Sequence, residues 1–139
     1  MSIELAASIT QRYAAGGAAL MHEMGLTIID AQPGRVRYTL PVAQRLTHAG
    51  GVLCGQAILG CMDTGMVFVM MSLNDDPEAR FTTVQLQTSF KRGVPADVGE
   101  VTFEAHASKS GRTLVFGEID LYLPDGTRAA HATTTYMWL

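Results

Sequence analysis

The chain has 139 residues, a formal net charge of −3, 47% hydrophobic residues and 17% charged ones. That is enough chain for one domain with a sizeable core, and the charge excludes the basic footprint of a nucleic-acid binder. The two cysteines, Cys54 and Cys61, are too few for a disulfide framework and fit a reducing, cytoplasmic setting.

The opening stretch "MSIELAASITQRYAAGG" carries Glu4 and no basic run, so it does not read as a signal peptide. Over residues 3–14, Ile3, Ala6, Ile9 and Tyr13 fall at helical spacing, with Ser2 as the expected cap. "GAALMHEMG" reads as a second short helical piece stopped by Gly25, so residues 1–24 form a helical lead. "LTIIDA" and "RVRYTLPV" read as strands joined by the turn "QPGR". In the second, Val36, Tyr38 and Leu40 alternate with Arg35, Arg37 and Thr39, which predicts one buried face and one wet face before Pro41 closes the strand.

A polar loop, "AQRLTHAGG", leads into an apolar segment predicted as a central helix over 54–72. From Ala49 to Leu73 its single charged residue is Asp63. A membrane span needs about 20 apolar residues. This segment, however, holds five glycines and Gln56, and a central Asp costs about 2.5–3.5 kcal/mol on insertion. It reads instead as a core helix, apolar nearly all round and so buried nearly all round. Gly55, Gly60 and Gly65 each weaken a helix by about 1 kcal/mol relative to Ala, which predicts close approach of another backbone. A carboxylate buried without a partner is expensive, so Asp63 must find donors or have a chemical task.

After the loop "NDDPEA" come four strand-like runs, Phe81–Arg92, Gly99–Ser108, Thr113–Leu123 and Arg128–Trp138. Alternation puts Thr82, Val84, Leu86, Thr88 and Phe90 on one face of the first. "SGR" and "PDGT" are hairpin turns, so the sheet is antiparallel. The layout is one α+β domain over residues 1–139, with about six strands curled round one helix. A single sheet leaves the helix an open flank, for which a second copy is the natural cover. His22, His106 and His131 are widely spaced and form no metal-ligand pattern. No phosphate-cradling glycine loop is present. No metal and no cofactor are expected. Lys91, Arg92 and Arg112 read either as ordinary solvated charges or as contacts for the phosphates of a nucleotide carrier, and their spacing does not decide between the two.

This layout, and "HAGGVLCGQAILGCMDTGM" within it, resembles the hotdog fold and its acyl-thioester hydrolases of the phenylacetate-pathway type. Gly55 matches the family's motif glycine, and Asp63 follows eight positions on, where relatives carry an acidic residue. His48 stands where relatives often have Asn, and Thr83, in "RFTTVQLQTSFKR", where they can have a catalytic Ser or Thr. Cys54 and Gln56 depart from the usual motif residues on either side of the glycine.

The resemblance implies hydrolysis of acyl thioesters, most simply of acyl-CoA, with coenzyme A as part of the substrate; an acyl-carrier-protein substrate stays open. Gly55, at the helix N-terminus, would polarise the carbonyl through its N–H. Asp63 would attack it or activate water. Thr83 would partner the carboxylate or the water, and His48 would hold water or substrate. Gln56, Cys54, Thr64 and Met66 are the expected substrate contacts, with Met62, Met70 and Met71 also shaping an adaptable acyl pocket. Eight residues of helix span about 12 Å, so Gly55 and Asp63 of one chain cannot reach the same carbonyl. In a two-fold dimer with antiparallel helices, Gly55 of one chain meets Asp63 of the other. This predicts an obligate homodimer, pairing further into a tetramer. Two other activities fit the same fold. One is an enoyl-thioester hydratase or dehydratase using His48; the other is a non-catalytic acyl-CoA binder.

Overall fold

The computed structural model describes residues 3–139. The elements in chain order are helices α1 (Ile3–Gly16) and α2 (Ala19–His22), strands β1 (Thr27–Gln32) and β2 (Arg35–Pro41), helix α3 (Gly55–Leu73), and strands β3 (Phe81–Phe90), β4 (Glu100–Ser110), β5 (Leu114–Tyr122) and β6 (Arg128–Trp138). A single 3₁₀ turn, Gln44–Leu46, precedes α3. The strands make one six-stranded sheet in the order β1-β2-β4-β5-β6-β3. Every neighbouring pair is antiparallel. The turns at 110–112 and 124–127 join the β4–β5 and β5–β6 hairpins as expected. Strand β3 lands on the far edge, beside β6 rather than beside β4, which follows it in sequence.

The sheet's inner face packs on α3. Val36, Tyr38 and Leu40 of β2, Phe103 of β4, and Ile119 and Leu121 of β5 are fully buried, against Cys61, Met62, Met66, Val69 and Met70 of the helix. At about 25 cal/mol per Å² of apolar surface removed from water, this contact is the main stabilising term of the fold. The outer face is mostly wet and holds ion pairs instead, although Thr39, expected on the wet side of β2, is buried. Arg37 lies between Asp30 and Glu104, and His131 between Asp120 and Glu118. His106, distant in sequence, also reaches Glu118. Such half-exposed pairs contribute about 0–1 kcal/mol each. Among the described residues, no group of His, Cys, Asp or Glu is arranged to hold a metal ion.

Several expectations need correction. The central helix begins one residue later than 54–72 and ends one later, with Cys54 as its N-cap. Its glycines admit side chains rather than another backbone: a Cβ on Gly65 would sit 2.0 Å from the Tyr38 hydroxyl, and one on Gly60 would sit 3.1 Å from the Met21 sulfur. Tyr38 uses that opening to donate to the Cys61 carbonyl at 2.7 Å. In α1, Ala6 and Ile9 are buried but Ile3 is 78% exposed, because the helix face against the sheet begins one turn later. The expected cap, Ser2, lies outside the described residues.

Strand β3 carries the most consequential difference. Its pairing with β6 slips between Thr83 and Gln85, which leaves Val84 as a bulge. A bulge reverses the alternation beyond it. The residues opposite the buried positions of β6 are therefore Thr83, Leu86, Thr88 and Phe90, and Thr82 and Val84 drop out of the expected face. Val84 is 55% exposed.

Helix α3 is the one described helix long and apolar enough to cross a membrane, and 61% of that apolar window is buried inside the fold. It is a core helix, but it is not covered on all sides. Gln56, Leu59, Gly60, Asp63, Val67 and Met71 escape full burial. At about 3.6 residues per turn they fall on one face.

Candidate active site

Asp63 sits mid-way along that uncovered face, half-exposed. Its Oδ1 accepts from the Thr83 hydroxyl at 2.9 Å and from the Tyr136 phenol at 2.5 Å. The same phenol oxygen lies 2.9 Å from the Asp63 backbone carbonyl. Thr83 and Tyr136 are cross-strand partners on β3 and β6, so one rung of the sheet supplies both donors. The bulge at Val84 is why Thr83 turns toward the helix. Burial first, and then the hydrogen-bonded carboxylate, push the Tyr136 phenol far above its ordinary pKa. The phenol therefore stays protonated and acts as a donor.

Asp63 and Thr64 form part of the wall of a cavity of about 760 Å³. The helical lead closes one side with Tyr13 and Met21, and Val67, Met71, Phe81 and Trp138 line the rest. A mostly apolar cleft with a few convergent polar groups is the usual form of a small-molecule site. Arg12 ties the lead down by donating to the carbonyls of Met71 and Asn74 at the end of α3.

Gly55 is the first residue of α3, and no side chain caps that helix end. Its first-turn N–H groups are left as donors at the positive end of the helix dipole. The Phe90 ring flanks it, 3.5 Å from where a Cβ would stand. Cys54 is half-buried beside it, and Gln56 is exposed. His48 is exposed, and its Nδ1 accepts from the Gly50 N–H at 2.8 Å.

Within one chain the structure thus brings together Asp63, Thr83 and Thr64 from the expected set. It places Gly55, Cys54 and Gln56 at the other site, the helix N-terminus, with His48 in the loop before it. Met66 is elsewhere: it is fully buried, with its sulfur over Gly117 of β5 where a Cβ would be 2.4 Å away. Met62 is also fully buried, while Met70 and Met71 do border the cavity. Cys61 is a buried thiol that desolvation pushes up to about 12, which leaves it inert rather than nucleophilic.

Sequence reasoning missed Tyr136. The signal was present in "RAAHATTTYMW", where Ala130, Ala132, Thr134 and Tyr136 share a face. Small residues bring the strand close to the helix, and a buried Tyr needs a partner for its hydroxyl. Asp63 needed a donor.

A curved antiparallel sheet wrapped round one helix defines the hotdog architecture. The structure superposes with a TM-score of 0.83 on the E. coli PaaI protein from the phenylacetic acid degradation operon, at 17% identity over 97% of this chain and 96% of that one. A thioesterase family protein from Silicibacter pomeroyi gives a TM-score of 0.83 at 28% identity, covering 97% of this chain and 98% of that one. In sequence, human acyl-coenzyme A thioesterase 13 is 30% identical over 97 residues, 69% of this chain and 66% of the human protein. The model of the thioesterase superfamily matches residues 50–130, more than half of the chain. The chain belongs to the thioesterase superfamily and is a thioester hydrolase.

Proposed function

We propose that the chain hydrolyses acyl-CoA thioesters to the free acid and coenzyme A, in a homodimer whose two sites each combine Asp63 of one copy with Gly55 of the other. The observation that carries this is the Asp63 carboxylate, held by two hydroxyls at the wall of a mostly apolar cavity. The coenzyme A carrier rests on the family and on the name of the human relative.

The chemistry follows from the donors available. The thioester carbonyl takes a hydrogen bond from the Gly55 N–H, which stabilises the developing oxyanion. Asp63 either takes a proton from water as the hydroxide adds to the carbonyl carbon, or attacks that carbon itself to give a mixed anhydride that water then opens. In both routes the C–S bond breaks and coenzyme A leaves as the thiol, its proton coming from protonated Asp63 in the first route and from the water that opens the anhydride in the second. No metal or cofactor enters either route. Gln56 and Cys54 flank the polarising N–H, Thr64 lines the acyl cavity, and His48, in the loop before α3, holds water or substrate.

Two features support the dimer. One flank of α3 is uncovered, and β3 is an open edge with Val84 55% and Phe90 52% exposed. An exposed apolar edge strand invites pairing. Two dimers would then form the tetramer. The free thiols of Cys54 and Cys61 suit a reducing compartment such as the cytoplasm.

The test is thiol release from a panel of acyl-CoA esters by the parent and by Asp63→Ala. Release by the parent and its loss in a folded variant are the expected results. Binding of an ester without turnover by either protein would point instead to a non-catalytic acyl-CoA binder.

A further inference from the structure

We propose that Tyr136 is the positioning residue for Asp63, and that it makes Oδ2 the one carboxylate oxygen that meets the thioester or its attacking water. The proposal rests on the reading of Asp63 as the catalytic group. Both hydroxyl donors converge on the same atom: Oδ1 accepts from Tyr136 at 2.5 Å and from Thr83 at 2.9 Å. Among the described residues no side chain or backbone group donates to Oδ2. Hydrogen-bonded oxygens are the poorer base and nucleophile, because their lone pairs are already engaged. The carboxylate is therefore divided into a held oxygen and a working one.

The two donors are not equivalent. Thr83 is exposed on the edge strand. Tyr136 is 1% exposed, paired on one side with Thr83 and on the other with Val115 of β5. Its oxygen also lies 2.9 Å from the backbone carbonyl of Asp63, but its single proton goes to Oδ1, the nearer and charged acceptor. Turning the carboxylate over would break two hydrogen bonds at once. When Oδ2 takes a proton from water the carboxyl becomes neutral, with Oδ1 as its carbonyl oxygen still accepting from both hydroxyls, and that proton later goes to the leaving thiolate. In the anhydride route the new O–C bond forms at Oδ2 for the same reason.

The experiment compares the parent and Tyr136→Phe by steady-state kinetics, and by the infrared splitting between the two carboxylate stretches of isotope-labelled Asp63. The variant is expected to lose about tenfold or more in kcat with KM within about twofold, and the splitting is expected to narrow as Oδ1 loses its stronger donor. An unchanged splitting overturns the proposal whatever the rate does, since the phenol would then not be holding the carboxylate. So does a narrowed splitting with parent-like kcat. If Tyr136→Phe does not fold, Thr83→Val removes the weaker donor from an exposed position, and the same changes are expected at smaller size. A parent-like Asp63→Ala removes the catalytic reading altogether, whereas an inactive Asp63→Ala beside a parent-like Tyr136→Phe removes only the clamp.

Discussion

The two faces of α3 are made from the same apolar alphabet and do opposite work. On the face toward the sheet, every position is filled to contact: Gly65 yields to the Tyr38 ring and Met66 lies over Gly117. On the other face, Gly60, Asp63, Val67 and Met71 line the cavity beneath the helical lead, with Met21 against Gly60. The first face is where stability is generated, and a change there is felt by the whole fold. The second gives up some burial to leave room for a substrate and a second copy. Apolar composition alone therefore says that a helix belongs in a core, but it does not say which of its faces the core covers.

This contrast can be broken most sharply at Asp63. Replacing it with Ala on the open face is expected to cut kcat by about 10²–10⁴ while the denaturation midpoint stays close to the parent's, read from thiol release and urea melts on the same samples. On the packed face the outcome inverts. Gly65→Ala forces the Tyr38 hydroxyl away and is expected to cost about 1–3 kcal/mol of stability, with the chemistry of the residual folded fraction unaltered. A urea titration with kcat corrected for folded protein checks it.

Between these lies the dimer. Val84→Glu puts a charge on the exposed edge strand β3, outside the cavity, and light scattering is expected to show monomer with most of the hydrolysis lost. Activity retained by a monomer would sink the shared-site arrangement. The gentlest probe is the thiol pair. Cys61, buried on the packed face, has its thiol pushed up to about 12, so at pH 8 only about 10⁻⁴ of it is thiolate. Iodoacetamide is expected to label native protein at Cys54 and to reach Cys61 only after unfolding. The unfolded thiol ionises first, near 9, and the folded one only near 12. The contribution to stability is whole below about pH 9 and is lost as the pH rises toward about 12.

Much of the architecture was legible in the sequence because it rests on periodicity. The alternation of Val36, Tyr38 and Leu40, the hairpin turns, and the charge-free run into α3 each have one simple structural solution. Asp63 stood out for the same reason, as the single charge in that run. What could not be read were features that depend on register across strands. Nothing in "FTTVQLQTSF" marks Val84 as the extra residue, because Thr82 and Thr83 are alike in propensity. Tyr136 was invisible as a partner because 73 residues separate it from Asp63 and only the order of the sheet joins them. Met66 failed in the other direction: four methionines share the helix, and spacing could not say which of them would meet Gly117.

The bulge at Val84 also bears on how this chain should be compared with its relatives. One extra residue in an edge strand is ordinarily counted as neutral length variation. Here it decides which of two adjacent threonines faces the carboxylate. A relative one residue shorter at this point would present its hydroxyl from the neighbouring position or lack it. Column-by-column matching through β3 would then pair a functional threonine with a solvent-facing one.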